Sequence, residues 1–359
     1  MATQGLDALV VTSLPNVLFL TNFTGSAGIL VLTMDRVWFI ADFRYVTAIN
    51  DLRESGHTCP GLELVSMSAS YDAALAELLS AGGLHQIGFE AAHMSVARHG
   101  WLVAALAQSA PRAALAPTVG LVEAVRVRKD RHEIATLREA ARRLSEVAVR
   151  IMSDVRRGRT EREVAMTVDL RIREAGFSAS AFETIVAGGP NAALPHAKPG
   201  ERRLDEGDLV VLDFGGVYDS YCVDLTRTVS IGVASGRARD VYGAVKDAHD
   251  RAIAAVAPGR SPFDVDRVAR DTLAARGLGE AFGHGTGHGL GIEVHEAPRI
   301  ARLRPEDMQD EKLLAGMVFT IEPGAYLPGW GGVRIEDDVL VTGSGVEVLT
   351  DVTTELIEL

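Results

Sequence analysis

The 359-residue chain has few cysteines, no long apolar run and no excess of basic residues. Its two cysteines, Cys59 and Cys222, form no metal or redox motif, which fits a reducing compartment better than a disulfide framework. The longest apolar stretches, such as residues 101–107 and 209–212, fall far short of the roughly 20 residues that a membrane span needs. The first residues lack the basic and apolar regions of a secretory signal. These absences predict a cytoplasmic protein with no membrane partner.

The charge balance excludes a further class of partner. Acidic residues outnumber basic ones 48 to 36, and the formal net charge is −12. A field of this sign repels phosphate backbones, so nucleic acids and anionic membrane surfaces are poor partners. With 47% apolar residues the composition is globular, and the length favours two domains.

The pattern of apolar residues changes along the chain, and the change predicts where the domains meet. Residues 1–125 alternate short strands and helices, with strands expected at 7–11, 28–32 and 36–40 and helices at 71–80 and 95–108. From Ile134 onward, apolar residues recur every three or four positions, which predicts a long helix that Gly158 ends. The charged segment before this helix places the boundary, giving domains at residues 1–125 and 126–359.

The second domain has the sequence pattern of an α+β fold. Apolar runs predict strands at residues 209–214, 224–230, 317–321 and 333–341, and helices at 239–256 and 264–276. Strands that helices separate irregularly are typical of an antiparallel or mixed sheet.

Two aspartates stand in neighbouring predicted strands of this domain. Asp213 follows the apolar run 209–212, and Asp224 opens a strand in which Thr226 and Thr228 share its face. A hairpin would bring both carboxylates together, where they repel unless a proton or cation neutralises them. Taken singly, each could instead be a turn or surface residue.

A glycine-rich segment carries three histidines, His284, His288 and His295. Its glycines let other groups approach the backbone closely, although their spacing is not that of a phosphate-binding loop. A single histidine is ordinarily structural, whereas three in such a segment favour ligand or proton-transfer roles.

Two glutamates, Glu322 and Glu336, stand in predicted strands. Burying a carboxylate costs several kcal/mol unless it is paired or coordinated, and Arg334 could pair with only one of them. Four carboxylates and one imidazole match a site for two divalent metals, with Mn²⁺ favoured and Co²⁺, Zn²⁺ or Fe²⁺ also accommodated. Two such ions, about 3.5–4 Å apart, lower the pKa of bound water toward about 7 and so supply a nucleophile.

These separated motifs resemble those of the proline-specific metallopeptidases, aminopeptidase P and prolidase, over essentially the whole chain. The resemblance implies that Asp213 binds one metal, that Asp224 and Glu336 bridge two, and that His288 and Glu322 complete the second. It also implies that Glu322 shuttles protons. The family's substrate-handling histidines match His196, His284 and His295, and Arg334 matches an arginine near the metals.

The resemblance further implies an α+β pita-bread catalytic domain preceded by a smaller, mixed α/β, creatinase-like N-terminal domain. In that family the N-terminal domain mediates dimerisation and can reach the partner's active site. Residues 22–26 and 42–45 are the segments expected to do so here, in a homodimer.

Other families fit less well. Methionine aminopeptidase usually lacks such an N-terminal domain, and creatinase works without metal and does not keep the five ligands. A non-catalytic binding module would have eroded ligands, yet all five are present.

The metal site does not separate a dipeptidase from an aminopeptidase. A dipeptidase reads both ends of its substrate, and Asp42 with Arg44 offers suitable charges if the N-terminal domain overhangs the cleft. The two could equally form a surface ion pair. We expect an Xaa-Pro dipeptidase acting on small peptides with proline in second position. An Xaa-Pro aminopeptidase is the alternative.

Overall fold

Short apolar runs in the first part of the chain form one mixed sheet. The computed structural model describes residues 1–67, 69–304 and 311–359, which divide into two units, Met1–Arg126 and Val127–Leu359. The strands of the first unit are β1 Ala8–Val11, β2 Ile29–Leu32, β3 Val37–Ala41, β4 Leu62–Ser66, β5 Gln86–Glu90 and β6 Ala114–Thr118. Their order is β4-β3-β2-β1-β5-β6, in which β1–β2 and β2–β3 are antiparallel and the other pairs parallel.

Helices cover both faces of this sheet, because parallel strands need crossover connections. They are α1 Leu14–Thr21, α2 Val46–Glu54, α3 Tyr71–Ala81, α4 Val96–Ser109 and the short α5 Glu123–Arg126. Helices α3 and α4 pack on one side of the sheet, and α1 and α2 pack on the other. The predicted mixed sheet with flanking helices is confirmed. Strands β4 to β6 and helices α1 and α2 went unpredicted because their apolar patterns are short.

The second unit begins with the predicted long helix. Its helices are α6 Arg131–Ile151, α7 Glu161–Glu174, α8 Gly236–Ala255 and α9 Pro262–Ala275. Asp130 and Glu133 start α6 with a reciprocal capping box. The prediction that this helix continues to Gly158 is wrong, since a turn of 3₁₀-helix, Met152–Asp154, follows Ile151. Val155 extends the apolar spacing because it packs into the same core from extended backbone.

The strands of the second unit form two five-stranded sheets and a ribbon. One sheet has the order β18-β10-β9-β7 with β8 also on β9, the other has the order β12-β11-β13-β16-β17, and β14 pairs with β15. The strands are β7 Ala179–Ser180, β8 Ile185–Gly188, β9 Leu209–Tyr218, β10 Tyr221–Ser230, β11 Gly287–Gly289, β12 Glu296–Ile300, β13 Val318–Ile321, β14 Gly324–Leu327, β15 Gly331–Arg334, β16 Asp337–Val341, β17 Val346–Val348 and β18 Ile357–Glu358.

Two helix pairs bury the outer faces of these sheets. Helices α6 and α7 pack with β9 and β10, and α8 and α9 pack with β13, β15 and β16. Strand β13 contributes to both hydrophobic cores. Val318 packs into the core beneath α6 and α7, and Phe319 packs into the core beneath α8 and α9, because side chains alternate along a strand. No helix in the part of the chain that the structure describes is long and apolar enough to cross a bilayer.

The single strand predicted over residues 333–341 is in fact two strands. Strand β15 pairs with β14, and β16 pairs with β13, so the chain changes partner between them. At that point the backbone N–H of Glu336 donates to the Thr226 carbonyl of β10, at 3.1 Å. The interruption places Glu336 beside the β9–β10 hairpin.

Candidate metal centre

The β9–β10 hairpin brings the two predicted aspartates to one face. Thr226 lies directly opposite Asp213 in the register, and Asp224 is two residues from Thr226. Because side chains alternate along a strand, all three point to the same side of the sheet. Asp213 and Asp224 are both buried.

Glu336 joins this face through the strand crossing. The Thr226 hydroxyl donates to Glu336 Oε2 at 2.6 Å. On the opposite side of β10, the buried Arg227 guanidinium donates to the carbonyls of Thr226 and Glu336, at 2.9 and 2.6 Å. The backbone on both sides of the Glu336 side chain is therefore held in place.

His288 reaches the site because two glycines flank it. A Cβ on Gly287 would lie 1.8 Å from the Thr320 carbonyl oxygen, and one on Gly289 would lie 2.0 Å from that of Ala297. Only glycine permits β11 to lie this close to both neighbours. The backbone N–H of Glu322 then donates to the Thr286 carbonyl at 2.7 Å, which places Glu322 near His288.

The imidazole of His288 is oriented as a ligand. Its Nδ1 lies 3.1 Å from the Gly289 carbonyl oxygen, which only an N–H can satisfy. Nε2 therefore carries a lone pair, and it faces Glu322 Oε1 at 3.6 Å and Asp224 Oδ2 at 3.9 Å. Burial lowers the pKa of His288 to about 4, so the ring is neutral at neutral pH. Three acceptors that face one another repel unless a proton or a cation lies between them.

The carboxylates show the same requirement. Burial, and then the neighbouring carboxylates, raise the pKa of Asp224 and of Glu336 well above their ordinary values. Burial also raises the pKa of Glu322 to about 7. One oxygen each of Asp213, Asp224 and Glu336 has no hydrogen-bond partner among the described residues. Asp224, His288 and Glu336 offer ligand atoms within 4.8 Å of one another, a donor set that fits a divalent metal.

Arg334 is buried beside these ligands and pairs with Asp213, not with either glutamate considered from the sequence. It also donates to the Thr226 hydroxyl at 3.1 Å and to the Tyr326 hydroxyl at 2.8 Å. Asp213 thus has one oxygen bound by a cationic side chain and one left over.

The three other predicted histidines line a cavity of about 480 Å³ above the carboxylates, but they differ in exposure. His284 donates from Nδ1 to the Gly285 carbonyl at 2.7 Å and accepts at Nε2 from the Tyr326 hydroxyl, at 2.9 Å. Burial lowers its pKa to about 4. His196 and His295 are exposed to the cavity, and partial burial and the neighbouring His196 lower the pKa of His295. Only these last two have rings available to a ligand.

Asp42 and Arg44 lie in the first unit, apart in sequence from every other predicted site residue. Arg44 donates to both carboxylate oxygens of Asp42, at 2.9 and 2.7 Å, and the Tyr71 hydroxyl donates to one of them at 2.8 Å. Asp42 is buried, whereas the Arg44 side chain is 58% exposed. Their contact with a substrate stays a prediction.

Three residues that hold the site together carry no functional signal in the sequence. Thr226 was expected on the face of Asp224, but its bond to Glu336 depends on the strand crossing. Arg227 donates to a carbonyl 109 positions away, and Tyr326 accepts from Arg334 across the β14–β15 ribbon. The alternation of side chains along a strand indicates no function for Arg227 or for Tyr326.

Comparison with known proteins agrees with this geometry. The model of the metallopeptidase family M24 matches residues 135–343, and that of the creatinase/prolidase N-terminal domain matches residues 1–128. The uncharacterized peptidase YqhT of Bacillus subtilis is 37% identical over 98% of this chain and 96% of its own length.

Two solved structures share the fold over nearly their whole length. The Xaa-Pro dipeptidase from Bacillus anthracis has a TM-score of 0.92 and 36% identity, covering 100% of this chain and 96% of that one. The X-Pro aminopeptidase from Thermotoga maritima has a TM-score of 0.88 and 30% identity, covering 99% and 98%. The expected α+β catalytic domain with a creatinase-like N-terminal domain is confirmed. The chain belongs to the metallopeptidase family M24.

Proposed function

We propose that this protein is an Xaa-Pro dipeptidase, which hydrolyses the bond between any first residue and a C-terminal proline. The observation that carries the proposal is the cluster of buried carboxylates and one neutral imidazole at the base of a cavity lined by two exposed histidines. Three of these carboxylates have an oxygen with no hydrogen-bond partner in the described part of the chain. Similarity to the dipeptidase from Bacillus anthracis supports the substrate class.

Two divalent ions are proposed as cofactors, held by Asp213, Asp224, His288, Glu322 and Glu336. The oxygen-rich donor set favours Mn²⁺, with Co²⁺, Zn²⁺ or Fe²⁺ as alternatives. When bound, the ions supply a Lewis acid and a water of lowered pKa.

The protein's own groups would handle the protons and the substrate. Glu322 would take the proton from the attacking water and deliver it to the proline nitrogen, which must be protonated to leave. Glu322 Oε1 lies 3.6 Å from His288 Nε2, which places its carboxylate at the candidate metal centre where the attacking water would be held. His196 and His295 would bind the substrate and stabilise the tetrahedral intermediate by donating hydrogen bonds.

His284 would act differently from these two. Because both of its ring nitrogens are already bonded, we propose that it holds Tyr326 in place and borders the substrate pocket. Tyr326 in turn receives a hydrogen bond from Arg334, which pairs with Asp213. This chain of contacts would fix the orientation of Arg334 at the edge of the metal site.

Substrate length separates the two candidate activities. We propose that Arg44 binds the terminal carboxylate of the dipeptide. Adding a third residue to the substrate would displace that carboxylate from Arg44. We expect Ala-Pro and Met-Pro to exceed Ala-Pro-Yaa tripeptides by about tenfold or more in kcat/KM, and to exceed Ala-Ala far more. The Arg44→Ala variant should narrow the gap between dipeptide and tripeptide.

Side-by-side assays on these peptides test both proposals. Arg53→Ala, which removes an exposed arginine elsewhere in the first unit, is the matched control and should leave the ratio unchanged. Equal or faster turnover of tripeptides would make the protein an Xaa-Pro aminopeptidase, the activity named for the similar Thermotoga maritima structure.

We further propose that the protein works as a cytoplasmic homodimer, on the basis of the family resemblance. Analytical ultracentrifugation of the purified chain, loaded with Mn²⁺, would give the mass of a dimer. The mass of a single chain would contradict it.

A further inference from the structure

A buried carboxylate outside the metal centre closes the loop that carries His196. Glu161 is the first residue of α7 and is fully buried. It is not among the metal ligands, and its negative charge in the interior must be compensated by donors, because burying an uncompensated carboxylate is costly.

The donors to Glu161 come from both ends of one chain segment. At the start of the segment, Gly188 N–H donates to Oε1 at 2.8 Å, and the Asn191 side-chain amide donates at 2.9 Å. At its end, Gly200 N–H donates to Oε2 at 3.2 Å. One carboxylate therefore joins residues 188 and 200, and His196 lies in the loop segment between them, residues 188–200.

The backbone of α7 strengthens the same closure. The N–H groups of Glu161 and Arg162, which have no partner within the helix, donate to the carbonyls of Arg202 and Gly200 at 3.0 and 3.1 Å. Gly200 is thus bound through both its N–H and its carbonyl to the first turn of one helix.

The segment 188–200 contacts β15, the strand that carries Arg334 beside the candidate metal centre. Arg334 donates to the Pro195 carbonyl at 3.3 Å, directly before His196. A Cβ on Gly332 of β15 would lie 2.0 Å from the Ala192 carbonyl oxygen, so the segment and β15 are in direct contact. The exposed ring of His196 is thereby presented to the cavity from a backbone anchored at its two ends and its centre.

We propose that Glu161 is a positioning residue for His196. It holds the ends of residues 188–200 together and so sets where the imidazole meets the substrate. The inference rests on the proposed peptidase function only in that His196 is taken to contact substrate. The anchoring itself is a property of the fold.

The test uses two isosteric variants of the full-length protein, Glu161→Gln and Glu163→Gln. A glutamine at 161 offers one acceptor and one donor, so its amide N–H must face a backbone N–H at one end of the segment. Glu163 caps the same helix from the third position, where glutamine serves as well, so Glu163→Gln is the matched control.

Hydrogen exchange measured by mass spectrometry, which needs no activity, tests the anchoring. We expect amides between residues 188 and 200 to exchange about tenfold faster or more in Glu161→Gln and to be unchanged in Glu163→Gln. Unchanged exchange in Glu161→Gln would overturn the proposal. If that variant fails to fold, Glu161→Asp, which keeps the charge but reaches only one end, replaces it.

A double-mutant cycle tests the link to His196. Glu161→Gln should lower kcat/KM on Ala-Pro by about tenfold in the wild-type background and by less than about twofold in His196→Ala, with metal content unchanged. The same factor in both backgrounds would show that Glu161 does not act through His196. If the wild type cleaves no proline peptide, the proposed function fails, while the exchange data still decide whether Glu161 anchors the segment.

Discussion

The buried Glu90 of the first unit and the buried carboxylates of the candidate metal centre in the second unit have opposite environments. In the first unit, Glu90 Oε2 accepts from the backbone N–H groups of Thr12 and Ser13 at 2.6 and 2.8 Å, and Oε1 accepts from Asn16 at 2.6 Å. In the second unit, Asp224 and Glu336 face other acceptors, and each keeps an oxygen with no hydrogen-bond partner among the residues that the structure describes. A fully bonded carboxylate stabilises the fold, whereas a cluster of underbonded ones is suited to bind a cation.

The sharpest test of this contrast removes one member of the underbonded cluster. We expect chelation to abolish peptidase activity and Mn²⁺ or Co²⁺ to restore it. Asp224→Asn should lose at least one metal per chain and fall below detectable turnover, because a neutral amide is a weaker ligand for a divalent cation than a carboxylate. Metal content by mass spectrometry and an Ala-Pro assay measure both effects.

The control makes the same change on the same hairpin. Asp219 is exposed at the β9–β10 turn with φ of 46°, a conformation that asparagine tolerates, so Asp219→Asn should keep metal and activity. Full activity in the exhaustively chelated protein would end the metallopeptidase proposal.

A second test separates ligand from substrate contact among the histidines. His288→Ala should lower metal occupancy, because its Nε2 faces Asp224 and Glu322. His295→Ala should keep metal and lose about 100-fold or more in kcat, because it removes an electrostatic or proton-transfer contact. The exposed His132→Ala is the control. If His295→Ala loses metal while His288→Ala keeps it, His295 is the metal ligand and His288 is the residue that contacts the substrate.

A third test compares stability instead of activity. Glu90→Gln should destabilise the first unit by about 1–3 kcal/mol, because an amide N–H would then face buried donors. In the metal-free protein, Asp224→Asn should stabilise the second unit, since it removes a buried carboxyl that must either stay charged beside other carboxylates or take up a proton. Hydrogen exchange of peptides from each unit reports the two effects separately.

The exposed Glu63→Gln, on β4 of the first unit, is the control for Glu90→Gln and should change stability little. If Glu90→Gln is as harmless as Glu63→Gln, the bonded carboxylate of the first unit contributes nothing to the fold, and the contrast between the units fails.

The smallest expected effect is a pH dependence of the metal-free protein. The pKa of Glu322 is raised from its ordinary 4.5 to about 7, and those of Asp224 and Glu336 are also raised. The lowered pKa values of His284, His288 and His295 act in the opposite direction, but only below about pH 6.5, where the imidazoles of the unfolded chain take up protons. Above pH 7 the folded state therefore binds more protons than the unfolded chain, and the stability that the raised carboxyl pKa values contribute is lost as the pH rises through about 7. The slope should reach about 1 kcal/mol per pH unit.

Urea unfolding between pH 7 and 8, followed with and without Mn²⁺, measures this slope above the range in which the histidines titrate. Metal should remove it, because ligated carboxylates carry no proton in the folded state. A metal-free protein that becomes more stable toward pH 8 would contradict the raised pKa values.

The sequence alone determined the chemistry of the site and most of its local structure. A carboxylate that directly follows an apolar run is costly to bury unless it is paired or binds a cation, and three histidines among glycines favour a ligand role. The hairpin of Asp213 and Asp224 was predictable because two apolar runs stand next to each other in the sequence. Helix α6 was predictable because its apolar spacing and its capping box are local signals. Its end was not, because Val155 belongs to the same core without being helical.

Only the tertiary structure decided how these residues are joined. The split between β15 and β16, which brings Glu336 to Thr226, depends on a change of strand partner that no local pattern records. The choice of Asp213 as the partner of Arg334 has the same origin, as does the closure of residues 188–200 by Glu161. Side-chain periodicity reports which face a residue occupies, whereas contacts between distant segments form only when the sheets pack.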